Sequence, residues 1–420
     1  MSSLHWLSNP FTGVFTRFGP PETRAQDPAV PLWAGSLAAC GPRAQSVEVG
    51  GAGWTDQDAH DACVGEAIER FQTYVLPLDA TVESSFESWG DVELALAPEA
   101  WVLFHPDQYA VRGFPFRPFD AKTVCRWVAF RDAGSGTAVW IPEEMGFLFA
   151  AVRGSHRLSP SISTGLSCGR WGDPVLLRGL QEVIERDAIM GAWWDRYALE
   201  EWTAAHVFER VGEETARRCQ RANLTYRFYR VDSPLSAHAL IVTAEGMDRE
   251  GFLFSAGAAC RETRREAWRK ALLEAVQGWH YVRYLKSEVQ RSHAKTGRAS
   301  RPSQEPRDFA DHALYFSLNP ERLDRTALRR ARPVPPSEGE AAPEDLDALR
   351  RRIGEDRPVL FRNVTPPSIA AEAPEWYVLK VVVPGLQPMH GHHGFPHLGG
   401  PLWAPRGTAE WAHVEPHPFP

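Results

Sequence analysis

One short phrase occurs twice in the sequence, at residues 66–70 (EAIER) and again at residues 182–186 (EVIER). Each copy lies late in a segment whose apolar residues recur with helical spacing, and positions i and i+3 are neighbours on one face of a helix. Each phrase therefore predicts a helix that presents two carboxylates side by side, with an arginine next to them. A third apolar-periodic segment carries Glu274 and Gln277 at the same spacing.

Carboxylates on separate helices repel one another when a fold brings them together. A divalent cation that carries a phosphate chain resolves such a cluster, and Mg²⁺ prefers a few carboxylates together with phosphate oxygens. We therefore expect the three helices to converge on one acidic site for Mg²⁺ and ATP. The predicted metal ligands are Glu66, Glu69, Glu182 and Glu185. The other predicted nucleotide-binding residues are Arg70, Arg186, Glu274 and Gln277.

Two alternatives stay open for these residues. Any one acidic pair, taken alone, also fits a solvated helix face, and it is the coincidence of three pairs that favours a shared site. Each arginine fits contact with a phosphate group and fits equally well an ion pair within its own helix.

Composition sets the class of protein. With 420 residues, 43% of them hydrophobic and 16 tryptophans, the chain can build a sizeable core. Alternating strand-like and helical segments predict a mixed α/β architecture. A net charge of −7 argues against bulk binding of nucleic acid. No apolar run has the length needed to span a bilayer, so we expect a cytoplasmic protein.

The pattern of breakers and caps predicts the organisation along the chain. An irregular arm is expected over residues 1–45 and a flexible turn over residues 50–53. The first helix is expected to begin at Thr55 or Asp56 and to reach Tyr74. The second is expected to have Asp173 as N-cap and Pro174 at N1. Strands are expected at residues 127–130, 138–141, 225–231 and 240–243, a third helix at 263–285, and mobile loops at 286–308 and 329–345.

Two features near the C-terminus lie outside this pattern. The sequence ends in Pro416-His417-Pro418-Phe419-Pro420, a pre-extended segment that either frays as termini commonly do or threads into a pocket at low entropic cost. Histidines 390, 392, 393 and 397 suggest a metal, but their spacing fits no familiar zinc motif and favours a loop with polar contacts.

At these residues the chain resembles the YcaO family, in particular its azoline-forming cyclodehydratases of thiazole/oxazole-modified microcins. The matching stretches are residues 65–71, 165–188, 271–277, 311–312, 383–388, 396–400 and the P-x-P-x-P terminus. The resemblance implies a YcaO fold over residues 46–420 with helices converging on one nucleotide site.

The resemblance also implies an activity. A Cys, Ser or Thr side chain of a ribosomal precursor peptide attacks the preceding carbonyl, ATP phosphorylates the amide oxygen, and loss of phosphate leaves a thiazoline or oxazoline. It assigns Pro420, at the end of the terminal motif, to the catalytic machinery. The implied partners are the precursor peptide and a leader-binding protein related to ubiquitin-activating enzymes, and a homodimer is a reasonable expectation for an enzyme of this size.

The sequence departs from the family pattern at four positions. Ala52 stands where many members carry a lysine, Ala62 where they carry a serine, Arg170 where they carry an asparagine and Pro174 where they carry a glutamate. These departures keep one rival open, a non-catalytic scaffold for the precursor peptide or partner. A second rival is a YcaO enzyme that makes thioamides or amidines, and the terminal prolines count against it.

Overall fold

The structure is a computed structural model. It describes residues 15–37, 47–71, 81–89, 94–148, 157–296, 305–335, 339 and 341–420. Several predictions fall outside these residues: the arm at 1–14 and 38–45, the helix end at Tyr74, and parts of both predicted loops at 297–304, 336–338 and 340.

The described residues form fourteen strands and ten α-helices. The strands are β1 Phe15–Gly19, β2 Leu32–Leu37, β3 Val47–Ala52, β4 Val82–Ser84, β5 Cys125–Asp132, β6 Ala138–Pro142, β7 Leu166–Arg170, β8 Leu199–Trp202, β9 Leu224–Val231, β10 Ala239–Asp248, β11 Gly251–Cys260, β12 Arg332–Pro333, β13 Leu360–Asn363 and β14 Trp376–Val382. The helices are α1 Asp56–Phe71, α2 Pro106–Tyr109, α3 Glu143–Gly146, α4 Val175–Trp193, α5 Ala204–Val211, α6 Glu213–Cys219, α7 Arg264–Thr296, α8 Phe309–Leu318, α9 Leu346–Ile353 and α10 Pro367–Glu372.

The strands build three sheets, with the orders β1-β2-β3, β11-β10-β9-β8-β12 and β4-β5-β13-β14-β7, and β6 adds to the last sheet beside β5. All described pairings are antiparallel except that of β8 with β12. The predicted mixed α/β class is confirmed, and all four predicted strands form.

The three predicted long helices lie between these sheets. Helix α1 packs on β3 and touches β7, α4 packs on β7, β14 and β11, and α7 packs on β11, β10 and β3. Neighbouring helices thus share a strand, and together they surround one central space.

The start of α1 agrees with the prediction, whereas the glycine run before it does not. Thr55 Oγ1 accepts the Asp58 N–H while Asp58 Oδ2 accepts the Thr55 N–H, both at 3.1 Å, which is a reciprocal N-cap. Residues 50–52 of the predicted flexible turn instead form the end of strand β3. A Cβ on Gly51 would lie 2.3 Å from both Ala59 O and Cys63 N, so this glycine is required for close packing of α1 on β3.

The start of α4 also differs from the prediction. The helix begins at Val175, and Asp173 does not cap it, because its Oδ2 accepts the Arg170 N–H at 2.7 Å within the preceding turn. Pro174 therefore occupies the N-cap position rather than N1.

Helix α7 continues to Thr296, so the predicted loop at 286–308 is wrong over residues 286–296. Lys286 extends the packing, because its ammonium donates to Phe252 O at 2.8 Å and to Ser317 O at 3.0 Å. Asp308 is the N-cap of helix α8, and its carboxylate accepts the Asp311 N–H.

The second predicted loop, at 329–345, is anchored at both ends. Strand β12 pairs with β8 at residues 332–333. Glu344 is buried, and its carboxylate accepts the Ser236 hydroxyl at 2.6 Å and pairs with the Arg352 guanidinium at 2.9 Å. The polar composition of this segment by itself does not reveal a hydrogen-bond partner in a distant part of the chain.

The arm predicted to be irregular contains strands β1 and β2. The segment between them is held by a buried ion-pair network. Asp27 accepts two hydrogen bonds from Arg283 of α7, at 2.8 and 2.9 Å, and Arg283 also pairs with Asp248 at the end of β10. Arg24 pairs with the same Asp248 at 2.6 Å.

Candidate active site

A cleft of about 1460 Å³ occupies the space between α1, α4 and α7. It is lined by all nine residues predicted for the site: Glu66, Glu69, Arg70, Glu182, Glu185, Arg186, Glu274, Gln277 and Pro420. The structure thus brings together polar pairs from three helices that are far apart in sequence, as the repeated phrase predicts.

A backbone N–H from a neighbouring strand or loop holds one oxygen of each glutamate. Gly50 of β3 donates to Glu66 at 2.8 Å, and Cys168 of β7 donates to Glu69 at 2.7 Å. Three further donor–acceptor pairs follow the same rule: Gly165 to Glu182, Cys260 to Glu185 and Ala258 to Glu274, at 3.2, 3.3 and 3.2 Å. This hydrogen bond to one oxygen fixes the orientation of each carboxylate. The remaining lone pairs of the carboxylate can still accept from a ligand or bind a cation.

Two of these carboxylates are costly to ionise. Burial raises the pKa of Glu69 to about 8, with Arg70 acting in the opposite direction and with Glu182 and Glu66 adding repulsion. Burial raises the pKa of Glu185 to about 8 as well, and there Arg186 opposes the shift while Glu274 adds to it. A bound cation would relieve both penalties by pairing with the charged forms.

The two arginines make ion pairs within their own helices and also line the cleft. Arg70 Nη2 lies 3.3 Å from Glu66 Oε1, and Arg186 Nη2 lies 3.7 Å from Glu182 Oε1. The two predicted alternatives are therefore compatible, because a guanidinium with five donors can pair with a carboxylate and still face a ligand.

The arrangement fits Mg²⁺ held by few carboxylates. Across the described ranges, no three carboxylates place oxygen atoms within 4.8 Å of one another. One ion can therefore take one or two of the glutamates, and phosphate oxygens and water would complete its octahedron, which is the usual protein environment of Mg²⁺.

Several lining residues escaped the sequence analysis. Those among them that are cationic or bear a hydroxyl include Arg178, Arg261, Lys270, Ser163, Thr164 and Ser167. For two of them a signal was present, because Arg178 precedes Glu182 by four residues on α4 and Lys270 precedes Glu274 by four residues on α7. Lys270 Nζ lies 3.2 Å from Glu274 Oε1.

Lys380 is a further missed residue, a single cation within the apolar strand β14. It is buried, and its ammonium donates to Ile162 O and Thr164 O, at 3.1 and 2.5 Å, in the segment that borders the cleft. Burial lowers the pKa of Lys380 to about 8, against the attraction of Glu182. Its position indicates a role in holding the segment before β7 in place.

The departures from the family pattern fall into two groups. Ala52 and Ala62 line the cleft, where their methyl groups offer no ligand. Arg170 and Pro174 are not among the lining residues: Pro174 is at the N-cap of α4, and the Arg170 guanidinium pairs with Asp61 at 2.9 Å and lies 4.6 Å from the centre of the Trp376 ring.

The C-terminal segment threads into the protein and does not fray. Residues 415–419 are buried, and Phe419 and Pro420 line the cleft. The Trp193 indole donates to Glu415 O at 2.7 Å and the Tyr315 hydroxyl donates to the Glu415 carboxylate at 3.0 Å, so helices α4 and α8 hold the segment at its entrance.

Cys168, which also lines the cleft, has a thiol whose pKa is raised well above its usual value by burial and by Glu69. A thiol that resists ionisation is a poor nucleophile. In the described ranges, no helix has both the length and the apolar character needed to cross a membrane.

Solved structures share this fold. A heterocyclase in complex with substrate and cofactor aligns with a TM-score of 0.72 and 18% identity, over 99% of this chain and 56% of that one. YcaO from Methanopyrus kandleri, bound with AMPPCP and Mg²⁺, aligns with a TM-score of 0.54 and 18% identity, over 89% and 86%. The E. coli microcin synthetase McbBCD complex aligns with a TM-score of 0.61 and 12% identity, over 96% of each chain.

The chain therefore spans little more than half the length of the substrate-bound heterocyclase. A comparison with curated protein sequences gives no match. The model of the YcaO cyclodehydratases, described as ATP- and Mg²⁺-binding, matches residues 50–387. Because this match takes in most of the chain and the structural likeness extends over nearly all of it, the chain belongs to the YcaO cyclodehydratase family.

Proposed function

We propose that the chain is an ATP- and Mg²⁺-dependent peptide cyclodehydratase that converts Cys, Ser or Thr of a ribosomal precursor peptide into a thiazoline or oxazoline. The observation that carries the proposal is the convergence of three polar helix pairs and the P-x-P-x-P terminus on one cleft. Family membership supports the nucleotide and the metal.

In this proposal Glu66, Glu69, Glu182 and Glu185 are the Mg²⁺ ligands, one or two of them to each ion, because each has one oxygen fixed by a backbone N–H and lines the cleft. ATP, when bound, supplies the phosphoryl group that turns the amide oxygen of the substrate into a leaving group. The other residues that we propose to contact the nucleotide are Arg70, Arg186, Glu274 and Gln277, which line the cleft.

The protein's own contribution in this proposal is to orient the bound groups. The carboxylate and guanidinium groups are held in place before the ligand binds. They therefore need no reorganisation during the reaction. Phe419 is buried beside the cleft and brings Pro420 to its wall, where we propose that Pro420 orders the reacting part of the substrate.

We further propose that the chain acts in the cytoplasm with a separate partner that binds the leader of the precursor peptide, and that this partner is related to ubiquitin-activating enzymes. Two relatives of the same fold support a substrate and partners of this kind: one is named as a heterocyclase bound to substrate, and the other as a synthetase complex bound to pro-MccB17. A homodimer remains part of the proposal.

The first experiment is isothermal titration of the purified chain with a non-hydrolysable ATP analogue, with and without Mg²⁺. Binding that requires Mg²⁺ is expected. The matched variants are Glu185→Gln, which should lose the binding, and Glu288→Gln on the exposed face of α7, which should retain it. Absence of binding by folded protein, also after addition of the partner, would contradict the proposal.

That last outcome would favour a non-catalytic scaffold, the second candidate, which is supported by the departures Ala52, Arg170 and Pro174 from the family pattern. Mass spectrometry of the treated precursor peptide separates the proposal from the third candidate, because azoline formation removes one water per ring whereas thioamide formation exchanges oxygen for sulfur.

A further inference from the structure

Three buried histidines converge next to the C-terminal segment. They are His312 on α8, His390 in the loop after β14 and His417 in the terminal segment, with 0%, 2% and 0% of their surface exposed. One ring nitrogen from each lies within 4.8 Å of those of the other two. In the part of the chain that the structure describes, no other group of three potential metal ligands converges in this way.

Hydrogen bonds fix the protonation of two of these rings. His312 Nδ1 donates to His417 O, and His417 Nε2 donates to His390 O, each at 2.8 Å. In a neutral imidazole the other nitrogen then carries a lone pair. A ring that gives its N–H to a backbone carbonyl and keeps its lone pair is the usual state of a metal-binding histidine.

Four ring nitrogens of these histidines are buried and make no hydrogen bond within the described residues. His312 Nε2, His417 Nδ1 and both ring nitrogens of His390 have no hydrogen-bond partner among the described residues. Buried polar atoms are rarely left in this state.

We propose that His312, His390 and His417 form a site for a divalent transition metal of the zinc class, separate from the Mg²⁺ site. Neutral imidazoles suit Zn²⁺, Ni²⁺ and Cu²⁺ rather than Mg²⁺. Three protein ligands leave the fourth position of a tetrahedral zinc for water.

The geometry needs one adjustment to close on an ion. A Zn–N distance of about 2.1 Å places ligand nitrogens about 3.4 Å apart. The rings of His312 and His417 are stacked with centroids 3.9 Å apart, so they must tilt for both lone pairs to meet one ion. The His390 ring stands nearly perpendicular to both, at interplanar angles of 80° and 79°.

The metal would fasten the terminal segment to the protein interior. His417 lies two residues before Phe419 and three before Pro420, both of which line the nucleotide cleft. A metal that joins His417 to α8 and to the loop after β14 would therefore hold the wall of that cleft in place.

The test uses the whole chain, freed of metal by a chelator and titrated with Co²⁺ in excess Mg²⁺. We expect one equivalent of Co²⁺ to give the intense visible bands of tetrahedral coordination, without a sulfur charge-transfer band, and one equivalent of Zn²⁺ to remove them. Excess Mg²⁺ occupies the glutamates, whose octahedral sites would give only weak bands. Weak bands alone would overturn the proposal and leave the histidines as a packed cluster around water.

Two variants make the assignment specific. His390→Ala removes a ring without any hydrogen bond in the described ranges, so the fold should persist while the tetrahedral bands vanish. His392→Ala is the matched control on the same loop, because its Nδ1 accepts the Gly394 N–H and its ring lies outside the cluster. Retention of the bands in His390→Ala, or their loss in His392→Ala, would contradict the assignment.

Hydrogen exchange gives an independent measurement that works even if a variant is unstable. Zn²⁺ should slow the exchange of the His417 and Phe419 amides in the unmodified chain at least about tenfold, because local opening of the segment would then require loss of the metal. Unchanged exchange at saturating Zn²⁺ would show that the metal does not hold the segment.

Discussion

Glu185 is the most buried of the cleft glutamates, at 5% exposure, and Cys260 N donates to one of its oxygens. We expect Glu185→Gln to lower ATP turnover by about 100-fold or more, because a charged ligand is lost from a preorganised site. The fold should persist, since glutamine keeps the size and an acceptor for Cys260 N. Turnover assays together with thermal unfolding check both parts, and retained turnover would remove Glu185 from the metal site.

The raised pKa of Glu69 makes stability depend on pH in the absence of metal. Its pKa is about 8 in the folded protein against 4.5 as the ordinary value, so the folded state binds more protons between these limits. The stabilising contribution of the neutral form is therefore complete below pH 4.5 and is lost as the pH rises through 8. Glu185 contributes in the same direction.

We accordingly expect the unfolding free energy of the metal-free chain to fall from pH 7 to pH 9, and Glu69→Gln to reduce this fall. Urea unfolding at pH 7, 8 and 9 with a chelator present measures the difference between the two proteins. Equal slopes against pH in both would show that Glu69 titrates normally.

At the scale of elements, the contact between α1 and β3 depends on a missing side chain. A Cβ on Gly51 would stand 2.3 Å from backbone atoms of α1, which cannot move without the helix. We expect Gly51→Ala to cost about 3 kcal/mol of unfolding free energy. It should also weaken Mg²⁺–nucleotide binding, because it shifts α1 and with it Glu66 and Glu69.

The matched control is Gly19→Ala, at the end of β1 in the same sheet, where a Cβ would meet nothing within 4 Å. Chemical denaturation of both variants tests the expectation. Equal stability of the two proteins would mean that α1 and β3 are less tightly packed than the structure shows.

At the scale of the whole molecule, a buried ion pair joins the N-terminal sheet to α7. The side chains of Asp27 and Arg283 are 1% and 7% exposed, and two hydrogen bonds join them. Asp27→Ala leaves the buried guanidinium with Asp248 as its remaining carboxylate partner among the described residues, so we expect a loss of about 3 kcal/mol or more of unfolding free energy. Arg17→Ala, which breaks the exposed pair with Glu48, should change stability little in the same denaturation experiment.

The terminal segment is the second connection at this scale. Phe419 is 2% exposed within a core that also contains Trp193 and Trp194. Deleting Phe419 and Pro420 should cost about 2 kcal/mol of stability and abolish cyclisation while Mg²⁺–nucleotide binding persists. Calorimetry and peptide mass spectrometry measure these effects. Undiminished cyclisation by the truncated chain would contradict the role proposed for Pro420.

The sequence by itself determined the elements that carry the site. The helical spacing of EAIER, EVIER and the Glu274 segment placed their polar pairs on single helix faces, because that periodicity is a local property of the chain. Local rules also gave the Thr55 cap and the four strands. They misjudged residues 50–53 and 286–296, where tertiary packing outweighs the local preference of glycine or polar residues. They also misjudged residues 173–174, where Asp173 accepts the Arg170 N–H of the preceding turn instead of capping α4.

Only the tertiary structure decided which parts of the chain meet. The backbone N–H groups that orient the glutamates belong to strands of other segments, so no spacing within the sequence reveals them. The same holds for the buried Lys380 and for His312, His390 and His417, which are separated by long stretches of chain. Their proximity follows from the packing of sheets and helices, which depends on the shape of the whole core rather than on any local pattern.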